Sequence, residues 1–238
     1  MEKRTQTTSN CHCEEPSKTS GDEAISNILS GKEIITSGMT KEVQRVKLAI
    51  EKALEGKKVG LISSGDAGVY GMAGLALELL PNKRDFGFDI EIIPGIIAAT
   101  SCASLLGAPL MHDFCVISLS DLLTDIELIK RRLEMAGLGD FVIVLYNPRS
   151  KKRTAPLKQA WQILMKHRQP QTPVGIVRNA YRDDQEVKIT CLKDLLKAEN
   201  IDMRTTIIVG NSRTYVKGKF MITPRGYLSE KKGDLAIG

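Results

Sequence analysis

A glycine-rich segment with one acidic residue is the part of this sequence best suited to bind a small ligand. It covers residues 63–74, Ser-Ser-Gly-Asp-Ala-Gly-Val-Tyr-Gly-Met-Ala-Gly, directly after the apolar residues 59–62. Glycines let backbone groups approach a ligand closely, and the carboxylate of Asp66 adds a hydrogen-bond acceptor. The spacing matches neither the dinucleotide fingerprint GxGxxG nor the P-loop, which needs Gly-Lys-Ser/Thr. The segment therefore indicates a ligand-binding turn of another kind, between a buried strand and a helix.

Other polar or glycine-containing turns follow predicted strands farther along the chain. They are Pro94-Gly95, Tyr146-Asn147-Pro148-Arg149-Ser150, Arg178-Asn179-Ala180 and Gly210-Asn211-Ser212. A single such turn usually does no more than reverse the chain direction. In open α/β sheets, however, ligands bind outside the carboxyl ends of the strands. We therefore interpret these turns together as one ligand-binding edge.

Alternating strands and helices must position these turns, so the sequence predicts an α/β protein with two α/β domains. Helices are predicted at residues 41–54, 69–80, 96–106, 126–136 and 157–165, and strands at residues 59–63, 89–93, 116–119, 141–146, 174–177, 187–190, 206–209 and 220–223. Residues 1–22 are polar without apolar periodicity, which predicts a disordered or unrelated tail. The domains are expected at residues 23–113 and 114–238.

The composition restricts the classes of function. The 238 residues are 42% hydrophobic, but no apolar run approaches the roughly 20 residues that span a bilayer, and the N-terminus lacks the apolar segment of a secretory signal. The lack of a spanning run predicts no membrane partner, and five cysteines, which form no even set, favour a reduced cytoplasm. Cys11-His12-Cys13 offers three potential ligands where a structural zinc site needs four, so no metal is predicted.

The net charge of +6 fits an anionic ligand. The basic residues are scattered and only 5% of residues are aromatic, so stacking on nucleic acid is poorly supported and no nucleic-acid partner is predicted. A polyanionic small molecule suits this composition as well as a generally basic surface does.

Several motifs resemble the tetrapyrrole methyltransferases of cobalamin biosynthesis. Residues 64–74 and Ile93-Pro94-Gly95 carry the general resemblance. Residues 106–124, Leu-Gly-Ala-Pro-Leu-Met-His-Asp-Phe-Cys-Val-Ile-Ser-Leu-Ser-Asp-Leu-Leu-Thr, are similar to the ring-contracting branch, the precorrin-3B and cobalt-precorrin-3 C(17)-methyltransferases. The same holds for residues 146–150 and for Thr-Pro-Arg-Gly-Tyr at residues 223–227. The resemblance covers about residues 24–228.

The resemblance implies a chemistry and a set of contacts. It implies two α/β domains with S-adenosyl-L-methionine in the cleft between them, a homodimer, and methylation of ring carbon 17 of a precorrin-3-type tetrapyrrole, with or without cobalt, with ring contraction. Such an enzyme mainly aligns the methyl group with the attacking carbon. Carried over by motif, the donor-binding residues are Gly65, Asp66, Val69, Ile97, Ala98, Tyr146, Asn147, Ala180 and Thr206.

The remaining candidates concern the substrate. The candidate catalytic residues are His112, Asp113, Ser120 and Asp121, and the candidate substrate contacts are Tyr70, Arg149 and Lys151. Histidine and aspartate can move protons during ring contraction, and arginine can bind the carboxylates of the substrate. The structural alternatives are a hydrogen-bonded hinge pair at residues 112–113, a helix N-cap at Asp121 and a solvated loop at residues 149–153.

One motif of the family is not found in this sequence. Family members begin with a strand that ends in Gly-x-Gly-Pro-Gly, whereas no such run precedes Gly65, and the similarity is expected to begin near residues 22–25. A catalytically impaired tetrapyrrole- or donor-binding homologue is therefore one alternative. A related methyltransferase that acts on RNA or on a modified protein residue is another, although the motif at residues 113–124 argues against it.

Overall fold

The structure, a computed structural model, describes residues 8–12, 31–36, 41–82, 86–150 and 153–227. Backbone contacts divide the chain into two compact units, Met1–Ile97 and Ala98–Gly238. The sequence motifs instead suggested a boundary after residue 113. The helix that begins at Ala98 contacts strands of the second unit, which is why the division falls before it.

A three-stranded parallel sheet forms the centre of the first unit. Its strands are β1 (Thr8–His12), β2 (Glu33–Thr36) and β3 (Lys58–Leu61), in the order β2-β1-β3. Asn10 of the middle strand lies opposite Ile34 on one side and Gly60 on the other. The strand β1 lies within the segment for which the sequence suggested a disordered or unrelated tail. Its polar residues give no apolar alternation, but a middle strand uses backbone groups that every residue carries.

The helices of the first unit are α1 (Glu42–Leu54) and α2 (Ala73–Glu78). The prediction of a helix at residues 41–54 is confirmed, and that at residues 69–80 is confirmed for its centre. The predicted strand at residues 89–93 is wrong: this segment has no regular secondary structure. Its isoleucines gave a strand-like pattern, but in the described part of the chain they pair with no neighbouring strand, and they are exposed.

A five-stranded mixed sheet organises the second unit, with the order β5-β6-β9-β7-β8. Its strands are β5 (Phe114–Ser118), β6 (Val142–Tyr146), β7 (Pro173–Arg178), β8 (Glu186–Cys191) and β9 (Thr205–Val209). β5 and β6 are parallel, whereas β9 is antiparallel to both β6 and β7, and β8 is antiparallel to β7. The C-terminal ends of β5, β6 and β7 therefore share one edge, called the ligand edge below, and their N-terminal ends lie at the opposite edge.

Helices and a small sheet complete the second unit. The helices are α3 (Ala98–Leu106), α4 (Ile126–Leu138), α5 (Ala155–His167) and the 3-10 helix Leu192–Lys197. The small sheet contains β4 (Gly107–Ala108), β10 (Tyr215–Lys217) and β11 (Phe220–Ile222). β4 and β10 are too short to give a periodic pattern, so the sequence did not predict them.

The apolar core of the second unit lies between its sheet and its helices. Leu133 of α4, Leu164 of α5, and Leu145 and Ile207 of the sheet are almost completely buried in it. On α3, the side chain of Leu106 packs so closely on β7 that a Cβ at Gly175 would lie 2.3 Å from its Cδ1. Any other residue at that position would require the Leu106 side chain to move. No helix in the described ranges is long and apolar enough to cross a membrane.

Candidate functional site

The carboxylate of Asp66 joins the two glycine-containing loops of the first unit. Its Oδ1 accepts a hydrogen bond from the backbone N–H of Gly68 at 2.8 Å, and its Oδ2 accepts one from Gly95, also at 2.8 Å. These two N–H donors lower the pKa of Asp66 below its usual value, Gly95 having the larger effect. The acceptor that the sequence suggested for a ligand is thus engaged with the backbone of its own protein.

Close backbone approach explains the glycines of these loops. A Cβ at Gly95 would lie 2.1 Å from the carbonyl oxygen of Gly65, so no other residue fits there without movement of the loop. Gly65 itself has a φ of +74°, which glycine adopts at little cost. The next predicted contacts, Val69 and Tyr70, are exposed, Tyr70 with a φ of +55°. Ile97 is half-buried at the end of the unit.

Polar residues of the second unit converge where β5 and β6 end. Asn147 follows β6 with a φ of +52°, and its Nδ2 donates to the hydroxyl of Ser118 at 2.9 Å. The same hydroxyl oxygen accepts the backbone N–H of Ser120 at 3.3 Å. Ser118 thus brings together two predicted site residues, Asn147 and Ser120, although the sequence analysis did not select Ser118 itself. The signal that could have identified Ser118 is a hydroxyl side chain at the last position of β5.

The hydroxyl of Tyr146 lies at the start of α3. It accepts the backbone N–H of Ala99 at 2.7 Å, and Ala98 is the first residue of that helix. The first N–H groups of a helix have no partner within it, so this bond fixes the helix start to the end of β6. Two residues predicted to bind the donor, Ala98 and Tyr146, are thereby neighbours.

Asn179 follows β7 at the ligand edge and carries a buried amide without a partner. The residue is 4% exposed with a φ of +49°, and its Nδ2 has no hydrogen-bond partner among the described residues. Such a group is uncommon because burying an unpaired donor costs free energy. The predicted residues Ala180 and Thr206 lie nearby: the first follows Asn179 and the second pairs in register with Val177 of β7. The sequence analysis named Asn179 only as part of a turn.

The structure does not bring the four candidate catalytic residues together. His112 and Asp113 directly precede β5, where the Nδ1 of His112 accepts the backbone N–H of Asp113 at 2.9 Å. Ser120 and Asp121 follow the same strand. A strand of five residues separates the pairs by roughly 15–20 Å, so they lie at opposite edges of the sheet.

The structure also bears on the structural roles suggested for Asp121, as a helix N-cap, and for His112 and Asp113, as a hydrogen-bonded hinge pair. The N-cap of α4 is Asp125, whose side chain accepts the N–H of Glu127 at 3.1 Å, so the N-cap alternative for Asp121 is wrong. Asp121 instead lies 3.6 Å from the Nε of Arg153. The local bond between His112 and Asp113 agrees with a hydrogen-bonded pair, but both residues lie within the second unit rather than at its boundary.

The basic loop after β6 contains two different kinds of residue. Arg149 is exposed and forms no hydrogen bond or ion pair with any described residue. The side chain of Arg153 is 13% exposed and contacts backbone on two other segments. Lys151 lies outside the described residues. Arg149 is therefore the described member of this loop whose charge is available to a ligand.

One turn does not belong to the ligand edge. Gly210-Asn211-Ser212 follows β9, which runs against β6 and β7, and the N–H of Gly210 donates to Pro173 at the start of β7. The prediction that this turn lies at the ligand edge is wrong, because β9 is antiparallel to β6 and β7 and ends at the opposite edge. The sequence pattern does not reveal the direction of a strand. The turn instead lies beside Arg168, which is 2% exposed at its side chain and donates to the carbonyls of Gly137 and Phe141 at 2.6 and 2.8 Å.

Comparisons with known proteins agree on one family. The family model described as tetrapyrrole (corrin/porphyrin) methylases matches residues 12–196. A protein of Salmonella typhimurium named probable cobalt-factor III C(17)-methyltransferase is 52% identical over 196 residues, which are 82% of this chain and 80% of that protein. The cobalt-factor III methyltransferase of Priestia megaterium is 55% identical over 208 residues, 86% of this chain but only 38% of the relative.

A solved structure gives the same result. The crystal structure of the methyltransferase CobJ matches with a TM-score of 0.78 and 32% sequence identity, covering 92% of this chain and 99% of that one. The family match begins at residue 12, upstream of residues 22–25, where the sequence motifs suggested that the similarity starts. The predicted α/β fold is confirmed.

Proposed function

This chain belongs to the tetrapyrrole (corrin/porphyrin) methylase family, and on that premise we propose that it methylates ring carbon 17 of a cobalt-factor III-type tetrapyrrole in cobalamin biosynthesis, using S-adenosyl-L-methionine. The observation that carries the proposal is the 52% identity with the Salmonella protein over four-fifths of both chains. The chain spans 38% of the length of the Priestia relative, so the proposal concerns only the reaction of the shared part.

The residues present fit the methyl donor. S-adenosyl-L-methionine would supply an electrophilic methyl group when bound. The loops joined by Asp66 offer close backbone approach in the first unit, with Gly65, Val69 and Ile97 beside them. In the second unit, the unpaired amide of Asn179 is a buried hydrogen-bond donor without a partner in the described chain. The predicted donor contacts in this unit are Ala98, Tyr146, Asn147, Ala180 and Thr206.

The ligand edge also suits an anionic substrate. Arg149 is exposed beside Asn147, and a planar guanidinium can bind a carboxylate through two parallel hydrogen bonds. Ser120 and Asp121 lie at this edge, whereas His112 and Asp113 lie at the other one. We therefore favour Ser120 and Asp121 for proton transfer during ring contraction, and a structural role for the other two.

The decisive experiment is a methyl-transfer assay. The purified chain is mixed with isotopically labelled donor and either cobalt-factor III or the metal-free precorrin-3B, and the product mass is measured. We expect transfer of one methyl group, with preference for the cobalt-bearing acceptor because the relatives are named for it. Donor binding without transfer to either tetrapyrrole would favour the impaired homologue, and transfer to RNA or protein would favour another acceptor.

The assembly and location implied by the family are also part of the proposal. A homodimer would show twice the chain mass of 26.2 kDa in light scattering. A cytoplasmic enzyme would fractionate with the cytosol, as free thiols at Cys102, Cys115 and Cys191 suggest.

A further inference from the structure

Arg153 contacts three other segments of the second unit through its guanidinium group. Its Nη1 donates to the carbonyl of Leu119, and its Nη2 donates to the carbonyl of Asn147 at 3.2 Å. Its Nε lies 3.6 Å from Oδ1 of Asp121, and Nη2 also lies 3.5 Å from the sulfur of Met203. All three nitrogens are therefore engaged within the protein, and the side chain is only 13% exposed.

The backbone at Arg153 is held as firmly as its side chain. Its N–H donates to the hydroxyl of Ser150 at 3.1 Å, and the backbones of these two residues exchange hydrogen bonds at 2.9 and 3.2 Å. This closed turn fixes where the long side chain begins. The fork of the guanidinium can then reach the ends of β5 and β6 together, which the single ammonium group of a lysine could not do.

We propose that Arg153 is a positioning residue, which locks the loop with Ser120 and Asp121 against the end of β6 and thereby sets the geometry of the substrate-binding edge. The proposal rests on the proposed function, since it takes that edge to bind the tetrapyrrole. It also separates Arg153 from Arg149, which lies in the same loop but forms no ion pair or hydrogen bond with the residues that the structure describes. Leu122 and Leu123, 80% and 101% exposed, follow Asp121 directly, so their placement depends on the same lock.

The first test requires no activity. Hydrogen exchange is followed by mass spectrometry on the full chain, for wild type, Arg153→Gln and Arg153→Lys. The N–H of Leu119 donates to Tyr146 at 2.9 Å, so peptides over residues 118–124 and 146–150 should exchange about tenfold faster in both variants if local opening becomes easier. Peptides of α5 should not change. Arg132→Gln, an exposed arginine on α4, is the matched control.

The second test uses turnover. Arg153→Gln should lower kcat for methyl transfer about tenfold or more while the donor dissociation constant stays within about twofold, since a misplaced loop disturbs alignment. Arg153→Lys should not restore the rate.

The outcomes distinguish this proposal from the proposed function. Unchanged exchange in both loop peptides overturns the positioning role. The positioning role is also overturned if Arg153→Gln lowers only the affinity for the tetrapyrrole, if this loss disappears at high salt, and if Arg153→Lys restores the affinity. That pattern is the one expected of a direct contact with a substrate carboxylate. If the wild type transfers no methyl group to either tetrapyrrole, the proposed function fails, and the exchange data still decide whether Arg153 locks the two loops.

Discussion

Asp66 shows how a single side chain can join two loops of the chain. Its two carboxylate oxygens accept from Gly68 and Gly95, so one residue sets the distance between two loops. The sequence motifs predicted that Asp66 contacts the methyl donor, and that contact stays a prediction. A sequence alone does not show that the acceptor is already used by an N–H group far along the chain.

The first prediction concerns Asp66→Asn and pH. An amide has one acceptor oxygen, so the variant keeps one of the two bonds and should unfold at lower urea concentration at pH 7. Because the folded protein lowers the pKa of Asp66, its stabilisation is complete above the unfolded pKa near 4 and disappears as pH falls through the lower folded value. The difference between wild type and variant should therefore shrink at pH 3. A difference that grew on acidification would contradict the assignment.

A second prediction concerns Arg149→Gln. Loss of this exposed charge should raise the Michaelis constant for the tetrapyrrole about three- to tenfold at low salt, while donor binding by calorimetry stays unchanged. Salt should reduce the advantage of the wild type, because exposed charges are screened. Arg132→Gln, with the same charge change on α4, is the control. Equal constants at low salt would make the loop a solvated surface only.

A third prediction concerns the backbone of Asn179. Its φ of +49° is tolerated by asparagine and glycine but strains other residues. Asn179→Ala should therefore be less stable than Asn179→Gly by about 1 kcal/mol, measured by urea unfolding. Both substitutions delete the same unpaired amide, so the difference between their free energies of unfolding reports the cost of the left-handed backbone at this position. Equal stabilities would mean that the turn relaxes.

At the scale of elements, amphipathic helices and apolar strands were predictable from the sequence. Every predicted helix is present, because apolar residues at helical spacing reflect burial against a sheet. The central strand β1 was not predicted, since Asn10 and its neighbours are polar. The direction of β9 was not predicted either, because an apolar strand buried on both faces has the same sequence pattern in either direction. The sequence therefore named candidate site residues one by one but did not reveal that they divide between two edges of the sheet.

The fourth prediction follows from the place of β1 between β2 and β3. Deletion of residues 1–12 removes the strand that joins both neighbours and should unfold the first sheet, since β2 and β3 pair with it on opposite sides. Hydrogen exchange should then become fast over Glu33–Thr36 and Lys58–Leu61. Deletion of residues 1–7, which leaves β1 intact, is the control. Equal protection in both truncated chains would show that the sheet does not need β1.

At the scale of the whole molecule, buried apolar residues are distributed unequally. Within Met1–Ile97, among residues 31–35, 41–82 and 86–97, whose burial is described, only Arg45 and Val46 are buried, whereas the second unit contains an extensive cluster. Burial of apolar surface is the main source of stability. The fifth prediction is therefore that amides of the second-unit strands exchange at least 100-fold more slowly than those of β2 and β3, as expected for local unfolding at lower free energy. Uniform protection in full-length protein would contradict it.

The position of β9 has a consequence for synthesis of the protein on the ribosome. β9 lies between β6 and β7, yet β6 ends at Tyr146 and β9 begins at Thr205. At roughly 10 residues per second the edge of β6 lacks its partner for about six seconds, and the edge of β7, which ends at Arg178, lacks it for about three. Unpaired strand edges recruit other chains. The nascent polypeptide is thus more prone to aggregation than the finished protein, and the late arrival of one five-residue strand ends that period.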